Sequence, residues 1–243
     1  MHKNQSKFNP EERSINLQNE KGLHSALKNR YAVPGDKMES KVDGFIIDLV
    51  RNQLLIEIQT RNFTSLRNKL TKLLPNHQIR LVYPIIHQKW ITTLNADSTT
   101  SRKRKSPKTG RLIDLFAELL YIPAIFSDPH FSLEVILVDV EEIRHEDGKG
   151  SWRRKGVSII DYRLLNIVEH HYFFEQADLL QFLPPGLPIP FSNKLLAQTA
   201  NYPLSMVRKM TYCLKKMDAI YAVGKRGNEI LYSTSPTIPA IPG

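Results

Sequence analysis

Phe45-Ile46-Ile47-Asp48-Leu49-Val50-Arg51-Asn52-Gln53-Leu54-Leu55-Ile56-Glu57-Ile58-Gln59 is the stretch that decides how this chain is read. Two apolar runs, Phe45 to Val50 and Leu54 to Ile58, flank Arg51-Asn52, and that arrangement predicts a β-hairpin. Acidic residues are depleted in strands, yet each run contains one. Strand side chains alternate between faces. With Arg51-Asn52 as a two-residue turn, Asp48 lies opposite Leu55, and Glu57 and Gln59 follow Leu55 on the same face. Asp48, Glu57 and Gln59 are therefore expected on one side of the hairpin. Two carboxylates that close repel unless a cation sits between them. Hard oxygen ligands in a small site suit magnesium. The plainer alternative is two acids facing water from alternating strands.

The flanks extend the pattern. Ser14 is a candidate cap for a helix running to about Tyr31, in which Glu20, Leu23, Leu27 and Tyr31 share one face. A third acid beside the hairpin gives Glu20 a reason to sit on an apolar stripe. Downstream, Phe63, Leu66, Leu70 and Leu73 have helical spacing and Pro75 ends the run. Lys69 borders that stripe. Ile79 to Ile85 and Trp90 to Leu94 read as two further strands, Leu112 to Ile122 as a helix and Leu133 to Val140 as a strand.

A helix with Glu, a strand with Asp, a strand with Glu-x-Gln and then a helix resemble, over about residues 14 to 94, the layout of the PD-(D/E)xK nucleases. The resemblance implies an α/β restriction-endonuclease-like core, a mixed sheet flanked by helices, over residues 14–160. It implies Asp48 and Glu57 as ligands of Mg2+ or Mn2+, and Glu20 as the accessory acid of the first helix. The third motif position is Gln59 where the family carries lysine, a residue that orients the attacking water and stabilises charge. Some restriction enzymes of this fold use Gln there, and Lys69 on the following helix is a candidate to stand in for the missing lysine. Asp43 is the alternative strand acid, with parity opposite to Asp48. The chain also resembles an uncharacterised bacterial family built on an LxxALKxxY…VDGFxIDxVxxxxLIEIQT…LVYPI…KW pattern.

The charge points to a polyanionic partner. The 243 residues carry a formal net charge of +10, which favours nucleic acid first and an acidic membrane surface second. Arg102, Lys103, Arg104, Lys105 and Lys108 crowd residues 95–111, a Ser- and Thr-rich segment expected to be a phosphate-contacting loop. Trp152-Arg153-Arg154-Lys155 forms a second basic connection. The single cysteine, Cys213, excludes an internal disulfide and reads as packed rather than reactive. No P-loop or GxGxxG is present, and His145, His170 and His171 lack metal-ligand spacing. The polar N-terminus and short apolar runs lead us to expect a cytoplasmic protein without a membrane segment.

From Asp161 onward the pattern reads as helical, and residues 161–233 are expected to form a winged helix-turn-helix. Its helices are Ala177 to Leu183, a second capped by Ser192, and a third after Pro203. The third buries Val207, Met210, Leu214 and Met217 and shows Ser205, Arg208, Lys209, Tyr212 and Lys216. A terminal hairpin carries Lys225 and Arg226 near its tip. Such a helix enters the major groove while the wing touches phosphates; winged helices also serve as protein-docking modules. Residues 1–13 and 234–243 are expected to be loose tails. The sequence thus predicts a metal-dependent DNA endonuclease. The alternatives are an inactive DNA-binding regulator, or a nuclease subunit active only with a partner ATPase. DNA is the expected partner, with room for a protein on the winged helix or for a homodimer, and no membrane.

Overall fold

The computed structural model describes residues 22–236. The expected N-terminal tail, the Ser14 cap, Glu20 and the end of the Pro-rich tail (237–243) lie outside the described residues. The fold is a mixed α/β sheet with helices against it. A helix over 22–31 (α1) is followed by β1 (Lys37–Val42), β2 (Phe45–Arg51) and β3 (Leu54–Ile58). Then come α2 (Arg67–Leu73), β4 (Gln78–Leu94), β5 (Thr100–Lys105), α3 (Phe116–Leu119), α4 (Pro123–Phe126), β6 (Phe131–His145) and β7 (Ser158–Phe173). The strands form one sheet of order β1-β2-β3-β4-β6-β7, with β5 also paired to β4. β1, β2 and β3 form an antiparallel meander, whereas β3 and β4 are parallel. A parallel pair needs a crossover, and the segment carrying α2 supplies it. β1 is a strand that local sequence pattern does not announce.

The chain forms two compact units, each assembled from separate stretches of sequence. In the first (described residues 22–33, 86–110 and 137–169), four strand segments come from β5, β4, β6 and β7. Its buried charge is tied down locally. Glu142 is 1% exposed and accepts from Lys89 (2.5 Å), Tyr162 (2.8 Å) and Arg144 (2.6 Å). Burial pushes its carboxyl upward, but those hydrogen bonds outweigh it and hold the group below the usual carboxylate range.

The second unit (34–85, 111–136 and 170–236) holds the hairpin, α2 to α4 and the C-terminal elements. Leu70 and Leu73 of α2 are fully buried, as are Phe63 and Phe116. Phe182 meets Phe116 edge-on at 4.9 Å and stacks on Phe173 at 6.0 Å. The C-terminal segment therefore shares its core with α3 and the end of β7. It comprises β8 (Phe191–Ser192), α5 (Asn193–Thr199), α6 (Leu204–Lys216), β9 (Tyr221–Arg226) and β10 (Glu229–Ser233), with a second sheet of order β8-β10-β9. Ser192 caps α5 as expected, accepting from the Leu195 N–H. Cys213 is fully buried, and burial pushes its thiol up to about 12.

Several expectations are corrected. The segment from Asp161 is not helical; it continues β7, a 16-residue strand in which positions 160 and 161 are internal. Ile79 to Leu94 is one strand within β4, not two. Ala177 to Leu183 is a 3-10 helix, Gln176–Phe182. Leu112 to Ile122 divides into a 3-10 turn, Leu112–Leu115, and the one-turn α3. The basic run 102–105 is not a loop but strand β5, paired antiparallel with β4. Strand pairing is a long-range contact that local periodicity does not encode.

Candidate functional site

β2 and β3 are strands because β-branched and apolar residues fill their buried positions: Ile47 and Leu49 are fully buried on one face of β2. The observed register pairs Arg51 with Leu54, Val50 with Leu55 and Leu49 with Ile56. The turn is thus Asn52-Gln53, one residue later than expected, with Asn52 in the left-handed region at φ 53°. Asparagine tolerates that conformation, which two-residue hairpin turns demand. The shift corrects the expected partner of Asp48. Continuing the register by one residue sets Asp48 against Glu57 rather than Leu55. The expected sharing of one face survives, because directly opposed residues point to the same side.

Glu57 is 5% exposed. Asp48 Oδ2 accepts from the Ile58 N–H at 2.9 Å, which fixes its carboxylate over the end of β3. Lys69 arrives from α2: its Nζ donates to Glu57 Oε1 and to the Ile46 carbonyl, each at 2.5 Å. The parallel crossover lays α2 across the hairpin, and Lys69 is the residue preceding buried Leu70. Burial raises the Glu57 carboxyl most, the Lys69 ammonium opposes that, and the Asp48 charge adds to the rise; the result is about 6.

Of the residues named from sequence, Asp48, Glu57 and Lys69 come together. Gln59 does not join them. Its backbone N–H still bonds the Val82 carbonyl at 2.9 Å, but its side-chain amide donates to the Arg61 carbonyl at 2.5 Å and lies 3.5 Å from Ser65 Oγ. Asp43 sits in the turn between β1 and β2 and pairs with His77 at 2.8 Å. The Ile46 carbonyl and Ile58 N–H were not foreseen; every residue carries such groups, so sequence holds no signal for them. Among the described residues no three His, Cys, Asp or Glu side chains are grouped to hold a metal. A cleft of 480 Å³ beside His77 and His130 lies elsewhere on this unit and is not lined by Asp48, Glu57 or Lys69.

The basic residues fall in separate places. Arg102, Lys103, Arg104, Lys105 and Lys108 are all exposed. Lys103 also pairs with Glu141 at 2.9 Å, and Lys105 lies over the Trp90 ring at 5.4 Å. On α6, Arg208 and Lys216 are exposed and Lys209 is half-buried; Lys225 and Arg226 are exposed on β9. Arg226 is 3.8 Å from Glu229, whose nearer cation is Lys194 at 2.6 Å.

The profile of a family described as "Domain of unknown function (DUF8091)" matches residues 21–174, well over half of the chain. The chain belongs to this family. The DUF8091 match ends one residue after β7, so it takes in the acidic hairpin, Lys69 and the basic strand, and stops short of the C-terminal segment. A protein of Treponema pallidum (strain Nichols), named "Uncharacterized protein", is 33% identical over 229 residues, 92% of this chain and 88% of its own length. No solved structure matches the chain. No helix among the described residues is long and apolar enough to cross a membrane.

Proposed function

We propose that this DUF8091 protein is a metal-dependent endonuclease that hydrolyses phosphodiester bonds in DNA. The observation that carries the reading is the cluster of Asp48, Glu57 and Lys69. Two carboxylates sit on opposed strand positions, and a cationic side chain from the crossover helix pairs with one of them, Glu57. The order helix, β1, β2, β3, α2, β4, with β3 parallel to β4, agrees with a PD-(D/E)xK core. In this reading Lys69, bonded to Glu57, stands in for the motif lysine rather than Gln59. The donor set fits a hard divalent cation. Both groups are oxygen ligands, and although burial is the main cause of the raised Glu57 carboxyl, the Asp48 charge adds to it, a repulsion that a bound cation would relieve. Asp48 and Glu57 would hold Mg2+ or Mn2+, which when bound polarises a phosphodiester oxygen and acidifies water. Lys69, anchored on the Ile46 carbonyl, orients water beside Glu57 and offsets negative charge developing on the phosphate.

The C-terminal elements support a DNA-holding role. The strand order β8-β10-β9, with α5 and α6 between β8 and β9 in sequence, is compatible with a winged helix. Exposed Arg208 and Lys216 on α6, with Lys225 and Arg226 on β9, match a groove-reading helix and a phosphate-touching wing.

The test is incubation of the purified chain with supercoiled plasmid, with and without magnesium or manganese. Nicked and linear products that depend on the metal are expected; intact plasmid under every condition sinks the proposal. A second reading, a DNA-binding protein without hydrolysis, draws on one observation: Glu57 is nearly buried and already ion-paired, as a structural acid would be. Retention of plasmid without cleavage would favour it.

The basic strand yields its own prediction. Phosphate contacts release counterions, so DNA affinity falls steeply with salt. Replacing Arg102, Arg104 and Lys105 by Ala should flatten the slope of log affinity against log salt by about one unit for each phosphate left without its cation. Lys103→Ala alone should change it least, since Glu141 already neutralises that ammonium. An unchanged slope in the triple variant would make β5 a bystander.

A further inference from the structure

We propose that the β6–β7 connection is a stacking site for an unpaired nucleobase of a DNA single strand, with Trp152 as its platform. The inference rests on the reading that the protein handles DNA, and it names the form of DNA that this site takes.

Trp152 is 83% exposed. A large aromatic ring left this open forgoes the burial that ordinarily stabilises it. Its exposure does not come from a slack loop. The Gly150 N–H donates to the Gly156 carbonyl at 2.7 Å, Lys155 N–H to the Trp152 carbonyl at 3.0 Å, and Val157 N–H to the Arg154 carbonyl at 3.0 Å. Asp147 closes the base, accepting from the Lys149 N–H at 2.9 Å and the Ser158 hydroxyl at 2.7 Å. Gly150 packs so tightly that a Cβ there would fall 1.9 Å from the Val157 carbonyl oxygen. The loop is a closed, hydrogen-bonded turn that holds the indole out.

The chemistry around the ring selects the ligand. Lys149, Arg153, Arg154 and Lys155 surround Trp152 in sequence, and no acid occurs between Lys149 and Ser158. The Arg153 guanidinium lies over the indole, 5.6 Å from its centroid. An aromatic face with a planar cation and neighbouring ammonium groups is what a base and its phosphates require. A duplex hides its base faces in the stack, so it offers the indole nothing to lie on. A bilayer-inserting loop would place further apolar residues beside the tryptophan, but its neighbours are Ser151 and Arg153. The connection also leaves the strands at the end where β4 meets β5. The Glu146 N–H donates to the Leu94 carbonyl at 3.0 Å, and Leu94 pairs with Thr100. The cations of β5 follow directly from there, as a track for the strand's phosphates.

The test uses the full chain. Trp90 and Trp152 are its two tryptophans, so Trp90→Phe leaves Trp152 as the only indole. Oligothymidylate is expected to quench its emission, and blunt duplex of the same length is not. Trp152→Ala should weaken oligothymidylate binding roughly 5- to 150-fold, the value of one stacked base, and leave duplex affinity unchanged. Duplex binding with no quenching by oligothymidylate would overturn the stacking site while leaving the DNA reading intact. Equal weakening of both forms by Trp152→Ala would do the same. Absence of binding to either form at low salt would remove the DNA reading itself. A blue shift on phosphatidylserine vesicles without a response to DNA would reassign the loop to membranes and overturn the proposal.

Discussion

Glu57→Gln and Asp48→Asn are each expected to lower metal-dependent plasmid cleavage by about a thousandfold or more, beyond the roughly 10- to 100-fold typical of outer-shell partners of a metal. Both changes keep side-chain volume and remove charge. In Glu57→Gln the amide oxygen still accepts from Lys69, so the buried hydrogen bond persists and the fold is retained. In Asp48→Asn the amide oxygen still accepts from the Ile58 N–H. What is lost is the negative charge that would bind the cation. Circular dichroism and DNA affinity should therefore match wild type while nicking disappears. Wild-type rates in either variant would show that the hairpin is not the site. In the unmutated protein at limiting metal, cleavage should rise with pH through about 6, where Glu57 ionises. Higher metal concentrations should move that limb to lower pH, because metal and proton compete for the same carboxylate.

Lys69→Met is expected to give the largest loss of stability, and a loss that depends on pH. It removes the cation from a carboxylate whose side chain is 6% exposed. Breaking a buried pair costs roughly 3–5 kcal/mol when the remaining charge is trapped. The carboxylate can escape part of that cost by taking a proton. Its folded-state value already stands at about 6 against 4.5, and losing Lys69 raises it further. Between those values the folded chain holds a proton that the unfolded chain has released, so stability falls as pH rises through the window. The variant should melt close to wild type below pH 4.5 and well below it at alkaline pH. Lys69→Met combined with Glu57→Gln should recover most of the deficit, since no buried charge remains. A deficit that is equal at all pH values, or not repaired by the second change, would reduce Lys69 to a packing role.

The acidic hairpin was legible in the sequence because alternation and burial act within a few residues of each other. Its register was off by one, since the preference of Asn52 for a left-handed turn is weaker in sequence than an Asn-Gly pair would be. Lys69 was one of several lysines next to an apolar stripe. Its meeting with Glu57, 12 positions away, is made by the crossover. β7 resembles a helix in sequence because Ile160, Leu164, Ile167 and Val168 have helical spacing, while the strand's partner, β6, is set by pairing.

By itself the sequence determined the hairpin, the helix ending before Pro75, the Ser192 cap, the place of α6 and the net positive charge. These depend on local propensity, periodicity and composition. Only the tertiary structure decided that Lys69 pairs with Glu57 while the Gln59 amide bonds Arg61, that the basic run is a strand, and that Phe182 joins the core of α3 and β7. The physical reason is the same in each case. An ion pair, a strand ladder or an aromatic stack gains its free energy from residues distant in sequence. The chain records each partner's chemistry but not which partners meet.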